Sequence, residues 1–148
     1  MKISSKGRYA LVSMIVLAQN DSQGGCMTVL AIAQKLDISK IYLEQVFSML
    51  RRGGLVTATK GSQGGYQLSR PPKDITAFDI LAVTELSLFG DTEGTVKDSA
   101  PDIEQVLRES LFEPACESLV NAFQGVCLSE LVESVRQKSG DGNYMYYL

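Results

Sequence analysis

The sequence predicts a mainly helical fold with one small β-hairpin, and three observations predict it. Apolar residues recur at helical spacing along most of the chain. Between residues 55 and 69 the period changes to that of two short strands around a polar, glycine-rich loop. Positive charge gathers on the part that holds these elements. Residues 1–73 carry ten Lys/Arg and three acids, a net of +7, whereas residues 74–148 carry four and fourteen, a net of −10. The overall −3 therefore conceals a basic half suited to a polyanion and an acidic half that is not.

A first helix is expected over residues 7–19, where Tyr9, Leu11, Val12, Ile15, Val16 and Leu17 form a broad apolar face. Asn20 to Gly25 reads as a turn-rich loop. Thr28 can cap a short second helix to Leu36, with Leu30, Ile32, Ala33 and Leu36 inward. Asp37-Ile38-Ser39 is a turn, and Ser39 caps a third helix that Gly53-Gly54 ends. On that helix Leu43, Val46, Phe47 and Leu50 are spaced i, i+3, i+4, i+7 and face the core.

Leu55–Thr59 and Tyr66–Ser69 read as the two strands, and Pro71-Pro72 stops the second. Thr76, with Asp79 three residues on, resembles a capping box and starts a fourth helix to about Leu86. Residues 87–100 have no clear period and read as a loop. A helix is expected from Asp102 to Phe112, which Pro114 interrupts or restarts. Phe112, Cys116, Leu119 and Phe123 step by 4, 3 and 4, a coiled-coil-like seam suited to dimerisation. Gly125 breaks the run, and Leu128, Leu131, Val132 and Val135 begin a final amphipathic helix. Ser139-Gly140-Asp141-Gly142-Asn143 reads as a linker to an aromatic tail, Tyr144-Met145-Tyr146-Tyr147-Leu148.

Three helices followed by a hairpin is the winged helix-turn-helix order. The expected architecture is mainly α with a small β-hairpin wing, completed by a long C-terminal dimerisation helix. Three parts follow: a DNA-binding domain over residues 1–86, a loop and dimerisation helices over 87–138, and a flexible tail over 139–148. The outward side of the third helix offers Lys40, Glu44 and Gln45, next to Tyr42. Lys40 can donate to guanine, Glu44 can accept from a cytosine amino group, and Gln45 can pair with adenine or a phosphate. Lys60 stands at the wing tip, where glycines let the backbone approach a narrow groove or a phosphate. Lys6 and Arg8 open the first helix and are placed for phosphate contacts. A protein–protein module on the same fold, without DNA affinity, is the competing reading.

Composition narrows the rest. There is no apolar run of 18 residues, and the N-terminal stretch has no signal-peptide pattern, so a cytoplasmic protein without a membrane partner is expected. There is no His, no nucleophile elbow, no P-loop and no dinucleotide fingerprint, so an enzyme is not expected. The cysteines are Cys26, Cys116 and Cys127, without a CxxC pair or metal-ligand spacing, so neither metal nor other cofactor is expected. Cys26 precedes the second helix, whose positive dipole end can favour a thiolate, and is the redox candidate. An inert half-buried thiol is the alternative there.

Met1-Lys2-Ile3-Ser4-Ser5-Lys6-Gly7-Arg8-Tyr9-Ala10, Ile38-Ser39-Lys40-Ile41-Tyr42-Leu43-Glu44-Gln45 and Gly64-Gly65-Tyr66-Gln67-Leu68 before Arg70-Pro71-Pro72 together resemble the Rrf2 family of bacterial transcription regulators. Leu128-Ser129-Glu130-Leu131-Val132 is similar to the family's segment after its dimerisation helix. The resemblance implies a homodimer on a partly palindromic double-stranded DNA operator. It implies that Ser39, Tyr42, Glu44 and Gln45 face the major groove and that Lys60 enters the minor groove. Many members sense through an iron–sulfur cluster on three cysteines before the dimerisation helix, and residues 87–115 contain no Cys. The cysteine-metabolism repressor branch (CymR type) also lacks those cysteines and ends in a similar Tyr/Met/aromatic tail. That resemblance implies a repressor of cysteine or sulfur genes. It also implies cysteine synthase (O-acetylserine thiol-lyase) as a partner of residues Tyr144 to Leu148. The alternatives are an iron–sulfur or thiol redox sensor of the same family, and a tail packed on its own dimer.

Overall fold

Four helices start on the caps that their sequences supply. In this computed structural model, which describes residues 1–22 and 24–146, the last six by backbone alone, α1 (Ser5–Asp21) follows Ser4. Ser4 Oγ accepts from the Gly7 amide at 3.3 Å. α2 (Val29–Leu36) follows Thr28, whose hydroxyl accepts from the Ala31 amide at 3.1 Å. α3 (Lys40–Arg52) follows Ser39, which accepts from the Tyr42 amide at 3.4 Å. The turn between α2 and α3 pivots on Asp37, in the left-handed region at φ 54°. α4 (Ala77–Thr84) has a capping box closed both ways: Thr76 Oγ1 accepts from the Asp79 amide at 3.1 Å, and Asp79 Oδ2 from the Thr76 amide at 2.9 Å.

The wing is an antiparallel pair, β1 (Val56–Thr59) and β2 (Gly65–Leu68), with Val56 opposite Leu68 and Thr59 opposite Gly65. Met27 adds a third partner. Its amide donates to the Tyr66 carbonyl at 2.9 Å, and the Tyr66 amide donates back at 2.7 Å. Gly65 sits at φ 144°, and a Cβ there would lie 2.5 Å from the Met27 carbonyl. That glycine therefore serves this internal bridge, where the sequence suggested an approach to nucleic acid. Tyr66 also packs on Phe47, with ring centroids 4.8 Å apart.

The core lies between α1, α2, α3 and α4. Met14, Ile32, Leu43, Val46, Phe47, Leu50 and Ile80 are fully buried in it. Leu128 is equally buried and belongs to the same cluster, so the core extends past residue 86. Two backbone bonds hold it there: the Ala77 amide donates to the Val126 carbonyl at 2.9 Å, and the Leu128 amide to the Ile75 carbonyl at 2.8 Å. The starts of α4 and α7 (Leu128–Tyr146) are thus joined by a short bridge at Thr76 and Cys127.

Two expectations change, and a third narrows to one of its alternatives. α4 ends at Thr84, short of Leu86. The Thr84 hydroxyl donates to the Ile80 carbonyl at 2.9 Å, and Glu85 turns away to accept from the Ser4 amide at 2.7 Å. Of the two outcomes expected at Pro114, interruption or restart, the second is found, since the proline stands in the first turn of the helix that follows. α5 (Pro101–Leu107) passes through a π-helical turn at Arg108–Phe112 into α6 (Glu113–Gln124). The widened turn, in which the Glu113 amide reaches back to the Arg108 carbonyl, accommodates a proline that has no amide to donate. Finally, α7 continues through the stretch read as a linker, to Tyr146. Glycine inside a helix costs about 1 kcal/mol relative to Ala without forbidding the conformation. Of the tail residues, Tyr147 and Leu148 lie outside the described residues.

Candidate nucleic-acid interface

α3 separates its side chains into two faces. Leu43, Val46, Phe47 and Leu50 are fully buried. Ile41, Glu44, Gln45, Ser48 and Arg52 lie opposite, at i, i+3, i+4, i+7 and i+11, and all are exposed. Together with Lys6 at the start of α1 and half-buried Met49, they line one open groove. The fold therefore brings Lys6, Glu44 and Gln45 to a common surface. Lys40 stands beside it, paired with Glu44 at 3.5 Å, with about half of each side chain exposed (52% and 53%). Such an exposed pair is worth about 0–1 kcal/mol, so both groups are free to exchange it for base or phosphate contacts.

Other predicted residues have further duties. Ser39 spends its hydroxyl on the α3 cap while remaining exposed. Tyr42 is half-buried and meets Tyr9 edge-on at 5.1 Å, which fixes the N-terminus of α3 against α1. Arg8 is exposed on α1. Lys60 is exposed beyond the end of β1, just before a turn closed by the Gly64 amide donating to the Gly61 carbonyl at 3.0 Å. The sequence reading passed over Ile41, Ser48 and Arg52. Helical spacing from Glu44 and Gln45 was the signal that identifies them.

Behind α4, the residue 87–100 loop is held by one carboxylate. Glu104 Oε1 accepts from the amides of both Thr95 and Val96, the latter at 2.6 Å. The cysteines stand on separate elements. Cys26 is half-buried, beside the Met27–Tyr66 bridge. Cys116 on α6 lies 3.9 Å from the Phe89 carbonyl, and Cys127, before α7, lies 3.0 Å from the Ser129 hydroxyl. Among the described residues no three side chains of His, Cys, Asp or Glu are placed to share one metal ion. Among the described residues no helix is long and apolar enough to cross a membrane.

The seam residues are half-exposed. Phe112 is 38% exposed, while Cys116, Leu119 and Phe123 are half-buried, Phe123 with its ring edge-on to Phe89 at 6.1 Å. Ile103, Val106 and Leu111 on the same long helix are more than half exposed.

The profile of the Rrf2 family, described as "Iron-dependent Transcriptional regulator", matches residues 3–134. The HTH-type transcriptional regulator CymR of Bacillus subtilis is 38% identical over 130 residues, which is 84% of this chain and 94% of that one. The HTH-type transcriptional regulator IscR of Cereibacter sphaeroides is 45% identical over 86 residues, 57% of this chain and 56% of the relative. The solved structure of CymR, titled the global cysteine regulator of B. subtilis, superimposes with a TM-score of 0.73 at 34% identity, covering 90% of this chain and 98% of that one. Caps, wing, helix order and these matches agree, and the chain belongs to the Rrf2 family of transcription regulators.

Proposed function

We propose that the protein is a homodimeric, cytoplasmic repressor that binds a partly palindromic double-stranded DNA operator and has no catalysis of its own. The observation that carries this reading is the polar outward face of α3 bordered by Lys6. A helix fits the B-DNA major groove, and such a face can reach base edges while Lys6, Arg8 and Lys60 meet phosphates. The test is DNA affinity by fluorescence anisotropy across a salt series. Several Lys/Arg–phosphate contacts make log Kd depend steeply on log salt, whereas a protein–protein module shows no such slope.

The reading extends to a cluster-independent regulator of cysteine or sulfur genes. The positions of Cys26, Cys116 and Cys127 support it, as does similarity to CymR along most of both chains. The dimer uses the apolar strip of the long helix, from Ile103 through Leu111 and Phe112 to Leu119. Residues Tyr144 to Leu148 dock cysteine synthase. Pull-down with that enzyme checks this: loss of residues 144–148 abolishes capture, and equal capture of both forms refutes it.

One observation favours a thiol-controlled variant of this reading. Cys26 directly precedes Met27, whose backbone ties the wing to α2. Oxidation of that thiol to a sulfenic acid would place a bulkier polar group beside the bridge. Mild peroxide is then expected to weaken DNA binding by the wild type and leave Cys26→Ser unaffected.

A further inference from the structure

Ile41 sits on the first turn of α3 with 72% of its surface exposed. Around the helix axis it is central to the outward face. It shares the outward face with Gln45, Ser48 and Arg52, opposite the buried Leu43 and Phe47. It also borders the same groove as Lys6. Its neighbours on either side differ in kind: Lys40 is a charged group in an exposed, exchangeable pair with Glu44, and Tyr42 packs on Tyr9. A large β-branched hydrocarbon stands exposed on a surface whose other members, half-buried Met49 aside, are polar.

Exposed to this extent, its hydrocarbon contributes nothing to the core. In the major groove one base-pair feature suits it best, the C5-methyl group of thymine, the one alkyl group that the bases present there. We infer that Ile41 is a specificity-determining residue that reads thymine by its 5-methyl group. The inference rests on the DNA-binding reading and deepens it. It divides the outward face by chemistry: Glu44 and Gln45 read hydrogen-bonding edges, and Ile41 reads a hydrocarbon.

The experiment begins with the full chain and a random-sequence duplex library, from which bound sequences are enriched. Each thymine of the enriched operator is then replaced singly by deoxyuridine, which removes the methyl group and keeps the pairing. At one position in each half-site, the wild type is expected to lose on the order of fourfold in affinity per methyl removed. Ile41→Ser is expected to lose about as much on the thymine operator, and nothing further on the deoxyuridine operator. If every deoxyuridine operator binds the wild type as tightly as thymine does, the inference is overturned, and that result needs no variant to fold. It is equally overturned if Ile41→Ser keeps the thymine preference. A library from which nothing is enriched, with no salt-dependent DNA binding, would sink the DNA-binding reading itself, a different failure from selective binding that ignores the methyl.

Discussion

Gly7 and Glu85 show how a single contact between distant positions dictates residue type. Glu85 Oε1 accepts from the Ser4 amide and hydroxyl, and a Cβ on Gly7 would fall 2.4 Å from that same oxygen and 2.8 Å from Ile3 Cγ2. Alanine has the better helix propensity, by about 1 kcal/mol, and at an open site Gly7→Ala would stabilise. Here the overlap wins. Gly7→Ala is expected to destabilise by about 1–3 kcal/mol, the usual range for overpacking, and Glu85→Ala in the same chain to recover part of the loss. Thermal unfolding of the two single variants and the double measures this directly. Residue roles of this kind were not legible in the sequence. Thr28, Ser39 and Thr76 were legible as caps because the group each one satisfies lies three residues away. Ser4 and Glu85 are 81 positions apart, and no local pattern announces their contact. Ile41 was missed for another reason: the sequence reading looked for groups able to hydrogen-bond, and hydrocarbon on an exposed face offers no such cue.

Among the elements, α4 depends most on one side chain. Asp79 closes the capping box and also receives Arg70 at 3.1 Å, while Arg70 donates to the Asp74 carbonyl at 2.8 Å. Arg70, one of the charges in the basic half, thus serves the fold. Asp79→Ala is expected to cost about 1–2 kcal/mol, seen as a lower denaturant midpoint at an unchanged slope. In α7 the Arg136 guanidinium makes two hydrogen bonds to Glu133, at 3.0 and 2.7 Å, and holds that carboxyl below the ordinary 4.5. A depressed folded value means the contribution is present above the ordinary carboxylate range and is lost as pH falls through the lowered one. An NMR titration is expected to place the Glu133 midpoint below 4.5, and Arg136→Ala to return it to the ordinary range. The helices themselves were legible from apolar spacing and caps. The extent of α7 was not, because Gly140, Asp141, Gly142 and Asn143 signal a turn when read locally. The π-helical turn was not legible either, because Pro114 signals a break or a start and says nothing of the widened turn before it.

At the scale of the molecule, charge and apolar surface are segregated. The groups proposed to face DNA lie on α1, α3 and the wing, and the long exposed strip with Ile103, Val106 and Leu111 lies on the helix beyond the acidic loop. Leu111→Glu is expected to halve the molar mass seen in light scattering and to weaken operator binding by more than tenfold through loss of two-site attachment, while leaving the fold intact, since Leu111 is 53% exposed. An unchanged mass would reassign the dimer surface. The joined starts of α4 and α7 have a kinetic consequence. The bridge between Thr76 and Cys127 closes a loop of about fifty residues and seals Leu128 into the core. That loop contains the residue 87–100 segment and the whole long helix, so both stay tethered at two ends while the bridge holds. Opening at the bridge, by contrast, would unseat a residue on which the DNA-binding half depends. The Leu128 amide should therefore exchange with solvent only as slowly as the whole chain unfolds, as a single cooperative unit.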